Sequence, residues 1–276
     1  MKTVLSIQDL SCAGRCSLTV ALPVLSAMGC RCSILPTAVL STHTGFPQPH
    51  VISLTEDIDK IFSHFSRLDL HFDAVTTGYL ADPAQISQVL PVLQHFKARG
   101  SRIIADPAMG DHGRLYSRLD EAHVRAMAEI CRCADILLPN VTEAALLTGL
   151  PYRDPADAAY GHALANALLD EFPAETALVT GIRSSQGNIG FAGCSRSGGA
   201  FAHETPAIPR QFHGTGDLFA AVFTGATLRG EDPLRAAMEA ADFVRACVAG
   251  TAEVTPHGVE FEAQLYRLFP GTAHHT

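Results

Sequence analysis

Lysine is scarce: Lys2, Lys60 and Lys97 are the only three in 276 residues. None follows a glycine, so a Walker A phosphate loop is excluded. Lys60 and Lys97 lie in segments with helical patterning, which leaves a Schiff-base lysine without support. Basic runs are also lacking and the net charge is −8, which argues against a nucleic-acid partner. No Cys-x-x-Cys pair occurs among Cys12, Cys16, Cys30, Cys32, Cys131, Cys133, Cys194 and Cys247, so paired zinc knuckles are not expected. Most of these thiols read as small buried hydrophobes, kept reduced in a cytoplasmic protein. No apolar run approaches membrane-spanning length. The run within Met1–Leu10, interrupted by Asp9, is too short for a signal peptide. Gln8 to Arg15 holds a single glycine, so the Gly-x-Gly-x-x-Gly of an NAD-dependent Rossmann enzyme is missing.

What is present is apolar bulk. With 47% apolar and 17% charged residues, the chain can bury a substantial core and is not disordered. Strand-like and helical patterns alternate. A strand over Thr3–Ile7 precedes a polar loop from Gln8 to Arg15 and a helix over Ser17–Met28, with Pro23 inside it. A second extended region, Ser33–Leu40, is broken by Pro36. Helices are expected over 55–68, from Asp82-Pro83 to Gly100 with a Gln85 capping box, over 120–132 and 141–148, and from Asp154-Pro155 to Phe172. Strands are expected at Phe72–Thr77, Ser101–Ala105, Ala134–Leu138 and Thr176–Thr180. Residues 188–192 and 199–203 flank a Ser/Gly turn and read as an antiparallel edge hairpin. Asp232-Pro233 opens a last long helix. With no repeat and no linker, this predicts one α/β domain over residues 1–276, a three-layer α/β/α arrangement with a mostly parallel central sheet.

One polar turn stands out. Phe212-His213-Gly214-Thr215-Gly216-Asp217 runs straight into the small, apolar segment Leu218–Ala226. Glycines and the free N–H groups of a helix start make a cradle for an anion. Asp217 sits at its mouth, either as a favourable first-turn charge or as a base that takes a proton from an attacking hydroxyl. Acidic and polar residues recur where the strands are expected to end: Asp9, then Asp106 and Asp111, then Asn140 and Glu143, then Thr180. In a parallel sheet these ends share one edge. Carboxylates converging without lysines suit Mg²⁺ and phosphate, and hence phosphoryl transfer to a hydroxyl. Each acid also has a plainer reading: Asp106 as a turn acid, Glu143 as a surface charge on its helix. The loop Ser41-Thr42-His43-Thr44-Gly45 is a ligand loop or an ordinary turn.

The segments Asp106-Pro-Ala-Met-Gly-Asp111, Pro139-Asn140-Val-Thr-Glu143 and Gly214-Thr-Gly-Asp217 resemble the ribokinase superfamily, within it the ATP-dependent vitamin kinases. Ser6-Ile7-Gln8-Asp9, Ser41–Gly45 and Thr77-Gly78-Tyr79-Leu80 resemble the substrate loops of pyridoxal/pyridoxamine kinases. The resemblance implies a ribokinase-like fold without a large lid, a homodimer, and ATP-dependent phosphorylation of the 5′-hydroxyl of a B6 vitamer. It makes Asp217 the base, with the N–H groups of Gly214, Thr215 and Gly216 holding the transferring phosphoryl. It places Asn140 and Glu143, with Asp106, near Mg²⁺, and Asp106, Asp111 and Thr180 near the ATP phosphates. Asp9, Thr44 and Tyr79 line the vitamer ring, with His43 beside them. A K⁺ ion often assists in the family, although no motif here shows it. Better-known pyridoxal kinases carry Ser where this chain has Asp9, which implies a preference for cationic pyridoxamine. The alternatives are a hydroxymethylpyrimidine kinase of the same fold and a non-catalytic vitamer or nucleotide sensor.

Overall fold

Alternation of apolar stretches with capped amphipathic stretches gives strand–helix order along the whole chain. The computed structural model describes residues 1–271; the last five residues of the expected single domain 1–276 lie outside the described residues. The chain opens with β1 (Thr3–Ser11), α1 (Leu18–Ala27), β2 (Arg31–Leu40), β3 (Val51–Ser53), α2 (Ile58–Arg67) and β4 (Ala74–Thr77). Next come α3 (Pro83–Ala98), β5 (Arg102–Ala105), β6 (Gly110–Asp111), β7 (Arg114–Leu115), α4 (Glu121–Cys133), β8 (Ile136–Leu137), α5 (Val141–Thr148) and α6 (Ala158–Glu171). It closes with β9 (Thr176–Arg183), β10 (Asn188–Ser195), β11 (Gly199–Pro206), α7 (Thr215–Arg229) and α8 (Pro233–Gly250). Two compact units result: Met1–Thr76 with Ile208–Thr276, and Thr77–Ala207.

In the first unit β1 pairs in parallel with β2, and the end of β2 pairs antiparallel with β3. Val4, Leu5, Ser6 and Ile7 are all buried, so β1 is covered on both faces, as parallel strands are. Contrary to the expected loop, β1 runs on through Asp9 to Ser11, with a register shift between Gln8 and Leu10. The extra residue lies in β2, where Thr37 and Ala38 stand opposite Asp9; such a bulge bends its strand and increases the local twist. Pro36 does not break β2. It lies opposite Gln8, at the last pair before the shift, where the ladder is already irregular. Helix α7 packs on α1 and α8. A Cβ on Gly225 would come within 2.3 Å of Met28 Sδ, so the glycine at this position lets α7 seat closely on the end of α1.

In the second unit β5, β8 and β9 are parallel, and β9, β10 and β11 form the antiparallel meander expected from the 188–203 pattern. Aspartate or asparagine N-caps start the helices: Asp82, Asp120, Asn140 and Asp157 each accept an N–H from the first turn. Two boundaries differ from expectation. The helix expected at Asp154-Pro155 begins at Ala158, because the Ala156 N–H is committed to Arg183 O and holds that segment extended. The supposed loop Asp106–Gly113 contains one arm of a small hairpin, β6–β7. Gln85 also reaches one residue further back than a capping box does, accepting from the Ala81 N–H at 2.8 Å.

Candidate active site

Gly214 is the N-cap of α7 at φ +84°, and a Cβ there would lie 2.2 Å from Arg15 O. Only glycine allows that approach. Gly216 is different. It has an ordinary helical backbone, and a Cβ on it would meet nothing within 4 Å. No internal contact requires a glycine at that position. What it leaves open is the backbone at the helix start, where N–H groups and the helix dipole attract an anion.

Asp217 follows in the first turn, half-buried. Burial pushes its carboxyl up to about 6, opposed by the Ser17 backbone N–H and assisted by the charge of Asp9. Asp9 is only 5% exposed and also titrates high because it is buried; the Ser17 and Ser11 hydroxyls offset part of this. Ser17 Oγ donates to Asp9 Oδ1 at 2.7 Å. Ser17 is also the N-cap of α1, at φ 48° and ψ −126°. A non-glycine residue in such a region costs about 1–3 kcal/mol, and such outliers cluster at functional sites. Cys16 sits beside these acids, and burial with the two nearby carboxylates pushes its thiol up to about 12. Ser17 was not among the expected site residues; its neighbours Cys16 and Thr19 gave it no motif to stand out from.

The loop carrying His43 is pinned from several sides. His43 Nε2 lies 2.7 Å from Pro256 O, and its Nδ1 accepts the Gly45 N–H at 3.1 Å. These partners fit the neutral ring protonated on Nε2. Burial lowers the basicity of His43, in the same sense. Its ring packs against His213 and Phe46, at centroid distances of 4.9 and 5.1 Å. Both nitrogens are thus engaged inside the protein, while Thr44 next to it is exposed. Arg15 pairs with Glu262 at 2.7 Å beside a cleft of about 470 Å³ lined also by Gly14, Thr255, His257 and Glu260.

The second unit supplies a tighter arrangement. Asn140 and Glu143 form a full capping box: Asn140 Oδ1 accepts the Glu143 N–H at 3.0 Å, and Glu143 Oε2 accepts the Asn140 N–H at 2.8 Å. Glu143 Oε1 accepts the Met109 N–H at 3.1 Å, with the Gly110 N–H at 3.5 Å. Asn140 Nδ2 donates to Gly110 O at 2.8 Å, and Thr142 Oγ1 accepts the Gly113 N–H at 2.9 Å. Glu143 is 2% exposed, which rules out the surface-charge reading. Burial raises its carboxyl above the ordinary range, and the three N–H groups pull the other way. Thr180 lies across from Asn140 in a parallel bridge, its N–H bound to Pro139 O at 2.9 Å. Asp106 is half-buried, its N–H on Thr77 O at 3.1 Å. Asp111 is exposed and accepts the His112 N–H at 2.8 Å. Tyr79 is half-buried, its ring 6.4 Å from that of Tyr116.

The expected residues therefore gather in two sets, Asp9, His43 and Gly214–Asp217 in the first unit, Asn140, Glu143 and Thr180 in the second. Among the described residues, no group of three or more His, Cys, Asp or Glu is gathered to hold a metal ion. The Asn140 and Glu143 side chains already serve backbone partners. This donor set does not build an all-protein cage; it suits a Mg²⁺ that arrives with nucleotide phosphates and keeps its waters. No helix among the described residues is long and apolar enough to cross a membrane. All eight cysteines are free, five of them buried.

Residues 21–260 match the family model described as phosphomethylpyrimidine kinase. A candidate phosphomethylpyrimidine kinase of Bacteroides thetaiotaomicron, crystallised with pyridoxal, is 33% identical and superposes with a TM-score of 0.91 over 97% of this chain and 95% of its own. The pyridoxal kinase of Lactobacillus plantarum is also 33% identical, with a TM-score of 0.88 over 97% and 96% of the two chains. The pyridoxal kinase of Arabidopsis thaliana is 28% identical over 247 residues, 86% of this chain and 78% of that one. These likenesses establish the expected three-layer α/β/α fold, with a mostly parallel central sheet, antiparallel edge strands and no lid domain. The chain belongs to the phosphomethylpyrimidine kinase family, in the ATP-dependent vitamin-kinase branch of the ribokinase superfamily, and is an ATP-dependent phosphotransferase acting on a small molecule.

Proposed function

We propose that the chain transfers the γ-phosphoryl group of Mg-ATP to the hydroxymethyl group of a nitrogen-containing aromatic ring. The observation that carries this is Asp217, whose carboxyl is raised to about 6 at the start of α7, next to the open backbone of Gly216. A carboxylate of that basicity is ionised at neutral pH and accepts a hydroxyl proton better than an ordinary one. The N–H groups of Gly214, Thr215 and Gly216 meet the negative charge that grows on the phosphoryl group. Asn140, Glu143 and Thr180, with Asp106 and Asp111, serve the nucleotide side. Glu143 does so by holding the Met109–Gly110 backbone in place. Asp9, Thr44 and Tyr79 serve the acceptor side, and His43 holds the loop that carries Thr44.

Two acceptors compete. The sequence expectation puts B6 vitamers first, and the names of the Lactobacillus and Arabidopsis relatives agree with it. The family match favours hydroxymethylpyrimidine. A buried carboxylate at Asp9 favours a ring bearing an amine beside its hydroxymethyl group. Both hydroxymethylpyrimidine and pyridoxamine have one, whereas pyridoxal and pyridoxine do not. The test is ATP-dependent phosphorylation of all four compounds. The two amine-bearing rings are expected to show the higher kcat/KM, and replacing Asp9 by Ser should narrow the gap. A ranking led by pyridoxal, unchanged in Asp9→Ser, would refute the role of Asp9. No turnover of any ring would refute the acceptor class.

A further inference from the structure

Ser17 joins the two acids of the first unit. Its hydroxyl donates to Asp9 Oδ1 at 2.7 Å, and its backbone N–H serves Asp217. It does so at φ 48° and ψ −126°, where glycine is at ease and a side chain is strained. A glycine there would start α1 without that strain and would still offer the N–H. Only the hydroxyl would be missing. The strained serine is therefore explained by its side chain, and that side chain is bonded to Asp9. The acids it joins come from different elements, Asp9 from β1, opposite the bulge in β2, and Asp217 from the first turn of α7.

We propose that Ser17 is a positioning residue that holds Asp9 and Asp217 in register, so that the acid recognising the acceptor ring and the base receiving the hydroxyl proton are set as one unit. The inference rests on the acceptor-side roles given to both acids above. The titratable groups that face one another here are Asp9 on β1, Cys16 in the turn before α1 and Asp217 on α7, with Ser11 Oγ 3.4 Å from Cys16 Sγ.

Ser17→Gly and Ser17→Ala separate positioning from mere support of the fold. In thermal unfolding, Ser17→Gly is expected to melt at or above the wild-type temperature and Ser17→Ala below Ser17→Gly. In a carboxyl-carbon NMR titration of the free protein, Asp9 should titrate higher in both variants, since a donor to its charged form is lost. In turnover, KM for the amine-bearing ring should rise about tenfold in both, with a smaller fall in kcat. An unchanged Asp9 titration together with an unchanged KM would overturn the proposal, as would a loss of activity that only follows a loss of thermal stability. If the wild-type protein phosphorylates none of the rings, the acceptor reading fails, while the Asp9 titration still decides whether Ser17 governs that carboxyl.

Discussion

Glu143 and Asp217 are both acids in the first turn of a helix, one in each unit, and their surroundings differ. Glu143 is sealed in and accepts from three backbone N–H groups, two of them from the segment ahead of β7. Asp217 is half-buried, with one backbone N–H in support and a second carboxylate nearby. Burial raises both acids. The number of donors separates them: a carboxylate held by three backbone donors serves structure, and one left under-supplied is free to take a proton. This contrast supports the proposal that the capping box serves architecture and α7 proton transfer.

The largest expected effect breaks the under-supplied side. Asp217→Asn should lower kcat by about a thousandfold while leaving the fold intact. The mutant should also melt higher, because a charge held against its burial is gone. In the wild type the rate should rise with pH through about 6, since the base must be ionised, and this limb should vanish in the mutant. A pH–rate profile of both proteins checks this, and near-wild-type kcat in Asp217→Asn would remove it as the base. Next in size, Glu143→Ala should cost about 3 kcal/mol in urea unfolding, because it strands buried N–H donors of Met109, Gly110 and Asn140. A loss within 0.5 kcal/mol of zero, at about the scatter of a surface substitution, would mean that the box is not architectural. The smallest effect sharpens the contrast between the two glycines of α7. Gly216→Ala should stabilise the protein by ~0.5–1 kcal/mol, as alanine does inside a helix, and should still weaken turnover. If activity is untouched, nothing approaches that backbone closely.

Much of this was legible in the chain. Gly214-Thr-Gly-Asp217 read as a helix start with an anion cradle because its chemistry is local: two glycines, a first turn and an acid lie within a few residues. Asn140 and Glu143 stood out by their place after an expected strand and by resemblance, whereas the capping box they form shows only in the structure. The antiparallel edge at 188–203 showed in its turn residues. Less legible was anything that depends on a partner far along the chain. Asp9 seemed to lie in a loop, because the pairing of Leu10 and Ser11 with β2 that carries β1 past it is not local. Glu143 kept a surface reading open, because its burial comes from the segment at Met109–Gly110. The helix expected at Asp154-Pro155 starts later because Arg183 O claims the Ala156 N–H.

The sequence by itself determined the alternation of strands and helices, the helix caps, the glycine turn and the residue types of a phosphotransferase. These follow from periodicity and from contacts a few residues long. Only the tertiary structure decided which acid is well supplied with donors and which is not, and that burial lowers the basicity of His43 while Pro256 and Gly45 engage its two nitrogens. It alone decided that Ser17, a serine no motif marks, adopts a glycine's backbone to reach Asp9. Burial and donor count are set by neighbours distant in sequence, and the basicity of a carboxylate is set by those two quantities.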